Sequence, residues 1–410
     1  FPPPSNGEIA GHQEEGEENH EKREAWFELM HSAAEGTDWR RMEYENDRRR
    51  HLQRRQVQAR GGDETLADGW ITGQWKELGS KNQAGSVINT LYDPATDEIY
   101  LISAGGTLFR GKRDGSEWTP IQQDLRFNAG LLEWIPTNQG RRMLAFIGRI
   151  PHYSDDDGLS WTPAQGISHE NRWGNFHSPV LVPDSSNIYV LAKKDYWSDI
   201  ILYVSKDRGE TYQSIHTFDT YDFNRLKLCR PHHSQEVFLI RRNEAGTQVY
   251  RIDQSAETLE FLSETEDFLL GDARANLAGY QADTLTRLYA YNEIEDIHGW
   301  YYSEDFGQSW IKQGSLPARP WRVGIYISPS DPDFMLLGEV ECFRSLDGGQ
   351  SWTKINNWWE YYGDVPHKLH ADMMHFSEFK TSGDVPFLLI SNHGGLSISY
   401  DQSFNNENIG

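Results

Sequence analysis

Five arginines stand at the beginning of successive apolar stretches whose alternation is typical of β-strands. Arginine carries a planar fork of N–H donors that matches a carboxylate or sulfate group. The net charge of the chain is −23, so cations gathered in one place need acidic partners or an anionic ligand. The pattern therefore indicates either a site for an acidic sugar or ion pairs with Asp124, Asp222, Asp272 and Asp372. The arginines are Arg126, Arg172, Arg225, Arg274 and Arg322.

A second candidate is the stretch His370-Ala371-Asp372-Met373-Met374-His375, which follows the aromatic run 358–362. On a strand, His370 and Asp372 share one face and His375 lies on the other. The spacing is not that of a helical zinc motif, and we expect no metal or other cofactor. The pair is therefore interpreted either as a structural hydrogen bond or as a ligand contact.

One octet of the form Ser-x-Asp-x-Gly-x-Ser/Thr-aromatic organises the elements that must position these residues. The carboxylate can accept backbone N–H groups of its own turn, and the glycine permits a positive φ. The aromatic side chain enters the core as the next strand begins. The octet therefore predicts a structural hairpin turn. Its four copies are centred on Asp156, Asp207, Asp305 and Asp347, and three of them end in Trp161, Trp310 and Trp352, the other in Tyr212.

Fainter copies of the octet fill the intervals between the four clear ones. The aspartate position of each copy, or its equivalent in a faint copy, falls at 113, 156, 207, 253, 305, 347 and 401. Successive positions are separated by 42 to 54 residues. Short alternating strands with this repeat length are typical of a β-propeller. We predict an all-β, seven-bladed propeller with four-stranded antiparallel blades, preceded by a short α-helical segment. The arginines, Asp272, His370 and Asp372 would then border the mouth of its central channel.

The chain ends soon after Asp401, which leaves little sequence for a complete last blade. We therefore expect residues 75–79 to supply the outer strand of that blade. Such pairing would close the ring and cover an open sheet edge.

The octet resembles the Asp-box of secreted sialidase-type (BNR-repeat) β-propellers, and the resemblance covers about residues 70–410. The last repeat, with its Asn392-His393-Gly394-Gly395 turn, is similar to that of xyloglucan hydrolases and sortilin-type receptors, in which Asp stands in place of His393. The resemblance implies binding of a glycan or a protein, or glycan cleavage. A sialidase would need an arginine triad and a Tyr–Glu pair, for which Tyr361 or Tyr362 with Glu339 or Glu341 are the candidates. The sialidase-like triplet Arg149-Ile150-Pro151 is interpreted as coincidence, because it lies in the outer part of a blade.

Three regions are expected: a flexible leader at 1–20, a helical segment at 21–62 and the propeller at 63–410. Two helices are predicted in the segment 21–62, at about 21–34 and 37–56. The second is rich in arginine, and it either pairs with the acidic propeller or acts as a partner-binding segment or a pro-segment. The net charge argues against nucleic-acid binding, and no apolar run is long enough for a membrane span. Because the chain begins at Phe1, we expect a mature secreted or cell-surface protein. The cysteines Cys229 and Cys342 are expected to be buried free thiols.

Three functions are consistent with these features. The first is a secreted or cell-surface propeller that binds a glycan or a protein at its channel mouth, with an anionic polysaccharide as one possible ligand. The second is a glycan-cleaving enzyme, either a glycoside hydrolase or a polysaccharide lyase, that acts at the same mouth. The third is a structural module of a larger surface assembly. The sequence assigns no catalytic residue.

Overall fold

A computed structural model describes most of the chain from residue 85 onwards and short pieces before it. The described residues are 41–42, 45–46, 48–50, 52–53, 65–66, 71–72, 85–122, 124–138, 140–148, 150–167, 176–182, 187–193, 198–243, 245–266, 278–282, 284–294, 297–320, 324–401, 404 and 406–409. Ahead of the propeller, β1 (Thr65–Leu66) and β2 (Ile71–Thr72) form a short antiparallel pair.

Seven four-stranded antiparallel sheets follow, which confirms the predicted number of blades and strands. In each, the first strand of the blade is the innermost. Blade 1 contains β3 (Val87–Asp93), β4 (Glu98–Ser103), β5 (Leu108–Lys112) and β6 (Thr119–Gln122). Blade 2 contains β7 (Phe127–Thr137), β8 (Gly140–Ile147), β9 (Ile150–Ser154) and β10 (Thr162–Pro163). Blade 3 contains β11 (Phe176–Leu181), β12 (Ile188–Lys193), β13 (Ile200–Ser205) and β14 (Gln213–Thr217).

The remaining blades have the same order. Blade 4 contains β15 (Leu226–Cys229), β16 (Phe238–Arg242), β17 (Thr247–Asp253) and β18 (Thr258–Thr265). Blade 5 contains β19 (Ala278–Ala282), β20 (Leu285–Ile294), β21 (Ile297–Ser303) and β22 (Ile311–Ser315). Blade 6 contains β23 (Gly324–Ile327), β24 (Met335–Gly338), β25 (Cys342–Ser345) and β26 (Thr353–Lys354). Blade 7 contains β27 (Met373–Lys380), β28 (Pro386–Asn392), β29 (Gly395–Ser399) and β30 (Asn406–Asn408). Within the described residues, the 3₁₀ helices Phe223–Arg225 and Trp358–Gly363 precede the inner strands of blades 4 and 7.

Hydrophobic side chains pack between neighbouring blades all the way around the ring. Among the described residues, buried apolar side chains form seven clusters, one for each pair of adjacent blades. Alternating side chains of a strand point to the two faces of its sheet, so each blade contributes to two clusters. Both cysteines are buried free thiols, as expected, and lie at the end of β15 and the beginning of β25.

The outer strand of blade 7 differs from the prediction. It is β30, at the end of the chain, which pairs with β29 through Ser397↔Asn408 and Ser399↔Asn406. The proposal that residues 75–79 occupy this position was wrong, and those residues lie outside the described part of the chain. The prediction assumed a full-length outer strand, whereas outer strands of only two residues occur in blades 2 and 6.

Blades 7 and 1 are joined by packing and by a hydrogen bond at the outer edge. Val87, Tyr92, Phe387 and Leu389 belong to their shared cluster. Trp118 packs against the same cluster, and its Nε1 donates to the carbonyl of Ile409 at 2.7 Å. This bond ties blade 1 to the last residues of blade 7.

Trp118→Phe is expected to lower the free energy of unfolding by about 1 kcal/mol, because it keeps most of the ring but removes the donor to Ile409. Urea denaturation of the purified chain measures the change. Trp134→Phe is the matched control, since Nε1 of Trp134 has no hydrogen-bond partner within the described residues. Equal losses in the two variants would show that the Ile409 bond contributes nothing.

The four clear octets form the turns between the third and fourth strands of blades 2, 3, 5 and 6. In blade 2, Ser154 Oγ donates to Asp156 Oδ1 at 2.8 Å, and Ser160 N donates to the same oxygen at 2.7 Å. Gly158 N donates to Ser154 Oγ at 2.9 Å. The turns centred on Asp207, Asp305 and Asp347 repeat these contacts. The octets are therefore structural turns, as predicted.

The aromatic residues that end these octets are buried to different extents. Trp161 and Tyr212 are buried, whereas Trp310 and Trp352 are only half-buried. The fainter copies also lie in turns between third and fourth strands. Asp253 Oδ1 accepts Ser255 N at 2.9 Å. In blade 1 the corresponding acceptor is Asp114, one residue after the predicted position.

The predicted helical segment at 21–62 lies mostly outside the described residues. Helical backbone is described at 41–42, 45–46, 48–50 and 52–53, where Arg41 pairs with Glu45. The helical segment and its docking role therefore stay predictions. Within the described residues, no helix is both long and apolar enough to cross a membrane.

Candidate functional site

The direction of the strands distinguishes the two ends of the propeller. We call the end at which the inner strands begin the entry end, and the other the exit end. First and third strands of an antiparallel blade run in the same direction, so the octet turns lie at the exit end.

At the exit end, the segment Arg230–Ser234 leaves blade 4 and lies along the channel-facing edge of β19. His232 pairs in parallel with Tyr280, and His232 N donates to Gly279 O at 2.9 Å. His232 Nε2 donates to Ile327 O at 3.0 Å, and His233 Nε2 to Pro329 O at 2.6 Å, both in blade 6. Burial lowers the pKa of His232. This segment therefore bridges blades 4, 5 and 6 at the exit end.

The predicted arginines are only partly described. Arg126 is exposed just before β7, and a Cβ at Gly106 of blade 1 would lie 2.8 Å from its Cγ. Arg225 is exposed before β15 and pairs with Asp222 at 3.7 Å, one of the ion pairs considered from the sequence. Arg172, Arg274, Arg322 and Asp272 lie outside the described residues. A shared anion site for the five arginines therefore stays a prediction.

Blade 7 begins with an aromatic surface on the entry face. The 3₁₀ helix Trp358–Gly363 exposes 41% of Trp358, 56% of Trp359 and 65% of Tyr362. The Trp358 ring lies edge-to-face with the rings of Trp359, at 5.9 Å, and of Tyr362, at 6.2 Å. We call these three side chains the aromatic patch. Large exposed apolar side chains grouped in this way mark an interaction site.

Hydrogen bonds below the patch hold its helix in place. Asn356 is buried, and its side chain bonds both Leu369 N and Leu369 O at 3.1 Å. Tyr361, the buried member of the helix, packs edge-to-face on His370 at 4.7 Å. Burial raises the pKa of Tyr361. The patch is therefore presented on a fixed support.

His370 lies next to the patch, with the Tyr362 ring 6.0 Å away. Its Nδ1 lies 3.1 Å from the carbonyl oxygen of Ala371, which can only accept, so Nδ1 carries the proton. In a neutral ring Nε2 is then an acceptor. Gly394 has no side chain because a Cβ there would lie 2.4 Å from the His370 Cβ. This close approach explains one glycine of the 392–395 turn.

Asp372 pairs with a residue that the resemblance marked as a departure. His393 Nδ1 lies 2.7 Å from Asp372 Oδ2, and both side chains are about one-third exposed. Asp372 has a φ of +65°, a conformation that is costly for a residue with a Cβ and is often found at functional sites. Its backbone N–H donates to Val340 O in blade 6 at 2.9 Å. The sequence analysis placed His370 and Asp372 on one face of a strand, but β27 begins at Met373, so both residues lie in the loop before it, and Asp372 binds a histidine there.

His375 takes part in a different contact. Its Nδ1 lies 2.9 Å from Ser377 Oγ, and Ser377 is 3.3 Å from Thr90 of blade 1. Burial lowers the pKa of His375 to about 4, so the ring is neutral at physiological pH. No group of three ligating side chains suited to a metal ion occurs in the described part of the chain.

Three carboxylates around the patch are engaged with cations or imidazoles: Asp372 with His393, and the two that follow. Glu341 pairs with Lys354 and lies 3.4 Å from Trp358 N. Glu360 Oε2 lies 3.6 Å from Lys368 Nζ. Across the described residues, no hydrogen bond joins Tyr361 or Tyr362 to Glu339 or Glu341, so the sialidase-like pair is not assembled.

From the sequence, His370 and Asp372 were identified as candidates, but the aromatic patch was not. The aromatic run was visible, but a sequence does not tell which of four neighbouring rings is buried. A turn of three residues places Trp359 and Tyr362 on one face, as observed, but it also pairs the exposed Trp358 with the buried Tyr361, so no local rule identifies the buried ring.

The comparisons with known proteins leave the family open. No protein-family model and no curated protein matches the chain. Among solved structures, YCF48 from Cyanidioschyzon merolae is 12% identical, with a TM-score of 0.49 over 78% of this chain and 97% of that one. YCF48 bound to D1 peptide is 15% identical, with a TM-score of 0.47 over 78% and 94%. Oligogalacturonate lyase from Vibrio parahaemolyticus is 8% identical, with a TM-score of 0.49 over 78% and 91%. Similarities this distant carry no argument about function.

Proposed function

We propose that this chain is a secreted or cell-surface β-propeller that binds a glycan at its entry face. The observation that carries the proposal is the aromatic patch, in which Trp358, Trp359 and Tyr362 are held exposed and side by side. The Asp-box resemblance supports an extracellular, carbohydrate-related role for the chain.

Exposed aromatic rings suit the apolar faces of sugar rings. Each ring offers a large, rigid surface that loses little conformational entropy on contact. The hydroxyl groups of a sugar need polar partners, and His370 and the Asp372–His393 pair lie at one side of the patch. The rings stand edge-to-face and present exposed surfaces in different directions, so with the polar groups beside them they can contact several sugars of an extended chain.

The geometry favours binding over cleavage. A glycosidase needs two carboxyl groups placed on either side of the scissile bond. Here Glu341 is held by Lys354, Glu360 by Lys368 and Asp372 by His393. Since each is engaged by a cation or an imidazole, we assign no catalytic pair, and the enzyme alternative is tested directly below.

A glycan array with a turnover readout tests the proposal on the purified full-length chain. We expect binding to one class of glycan without cleavage, and loss of about tenfold or more in affinity in Trp359→Ala, because a few exposed aromatic side chains dominate binding energy. Phe261→Ala is the matched control, since this ring is 54% exposed but lies on β18 of blade 4. The proposal fails if no glycan binds or if the two variants bind equally well. Release of products would favour the enzyme alternative instead.

A further inference from the structure

We infer that the aromatic patch selects uncharged sugar chains and disfavours uronic, sialic and sulfated ones. This inference rests on the proposed function and names the ligand class of the same site. It differs from the acidic ligand that the arginine pattern of the sequence indicated.

Negative charge borders the patch. Five carboxylates and two lysines lie in or beside the helix and the strand ends that support it, which leaves a net charge of −3 with neutral histidines. They are Glu339, Glu341, Glu360, Asp364 and Asp372, with Lys354 and Lys368.

The two lysines are already engaged. Lys354 pairs with Glu341 and packs over the Phe343 ring, and Lys368 pairs with Glu360. A ligand anion would have to displace one of these carboxylates to gain a cation. Arg126 and Arg225, the described members of the predicted anion site, belong to blades 2 and 4, whereas the patch and its border belong to blades 6 and 7.

An acidic sugar chain at this place would therefore meet like charges on a partly desolvated surface, where repulsion is stronger than in bulk water. An uncharged chain meets no such repulsion. Its hydroxyl groups can donate to Nε2 of His370 and to the carboxylate of Asp372, both of which are acceptors. The rings then bind the apolar faces of the sugars, and the charged residues that border the patch determine which sugars are accepted.

Titration calorimetry with two probes of equal length tests this inference. The probes are cellohexaose, which is uncharged, and the hexamer of galacturonate. We expect cellohexaose to bind at least about tenfold more tightly, and we expect the ratio to shrink as salt rises, because salt screens the repulsion.

A double variant tests whether the carboxylates that border the patch cause this preference. Glu341→Gln with Glu360→Gln should leave cellohexaose affinity within about twofold and strengthen galacturonate binding several-fold, since both lysines lose their partners. Glu260→Gln is the control, because Glu260 pairs with Arg251 on the outer part of blade 4. Thermal melts verify that each variant is folded.

The outcomes separate the two proposals. If galacturonate binds as tightly as cellohexaose, and Trp359→Ala weakens both, the uncharged preference is wrong but the glycan site stands. An unchanged ratio in the double variant would also overturn the role of the border. If neither probe binds and the array finds no glycan, the proposed function falls as well.

Discussion

Trp300→Ala is expected to lower the free energy of unfolding by about 3–5 kcal/mol, the range for removing a fully buried large aromatic side chain. Trp300 is 0% exposed and lies in the cluster between blades 5 and 6. Its ring stacks on Tyr289 with centroids 5.4 Å apart and planes 9° apart. From blade 6, Gly349 approaches so closely that a Cβ there would lie 2.6 Å from the ring. The variant would leave a cavity with a rigid backbone on one side.

Urea denaturation, followed by circular dichroism, measures this loss. Trp358→Ala serves as a control, because its ring is 41% exposed and should contribute little to stability. A loss of less than about 1 kcal/mol for Trp300→Ala would mean that the interface between blades 5 and 6 is not packed as described.

Asp305→Ala is expected to cost about 2 kcal/mol, because a charged acceptor of three hydrogen bonds is removed from a turn. Asp305 Oδ1 accepts Ser303 Oγ at 2.8 Å and Ser309 N at 2.9 Å, and Oδ2 accepts Ser309 Oγ at 2.6 Å. Without the carboxylate, the turn between β21 and β22 loses these three bonds and keeps those to Ser303 Oγ. Thermal and urea melts at neutral pH measure the effect.

The same carboxylates make stability depend on acidity. Burial alone would raise the pKa of Asp305, but hydrogen bonds from Ser309 and Ser303 outweigh it and hold the pKa below its ordinary value. Against the same effect of burial, hydrogen bonds within their own turns likewise hold the pKa values of Asp207 and Asp347 below the ordinary value. A folded-state pKa below the unfolded one gives stability that is fully present above the unfolded value, about 3.9, and is lost as pH falls through the folded value.

We therefore expect unfolding free energy to fall as the solution is acidified below about pH 5, and to fall less steeply in Asp305→Ala. Asp114→Ala is the comparison variant: hydrogen bonds from Ser116 also lower the pKa of this aspartate, but they lie at the surface, so its loss should flatten the acid profile less. Identical acid profiles for the parent and Asp305→Ala would contradict the assigned role of the octet.

The candidate site was predictable only in part. His370 and Asp372 were recognised as a candidate pair because an imidazole and a carboxylate lie within three residues of the sequence. The partner of Asp372 is His393, twenty-one positions away on the turn between β28 and β29, and no spacing rule indicates that contact. The five arginines illustrate the same limit, since equal positions in successive repeats do not fix where long side chains end.

The sequence by itself determined the blade architecture and the octet turns. Both depend on local physics: strand alternation, and hydrogen bonds that close within a few residues, as from Ser303 to Ser309. Only the tertiary structure decided that β30 completes blade 7, that Arg230–Ser234 enters the channel end, and that Trp358 and Trp359 are exposed while Tyr361 is buried. These outcomes depend on which segments, distant in the sequence, compete to pair with the same sheet edge or to pack in the same hydrophobic cluster. Such competition is settled by packing across blades and not by neighbouring residues in the chain.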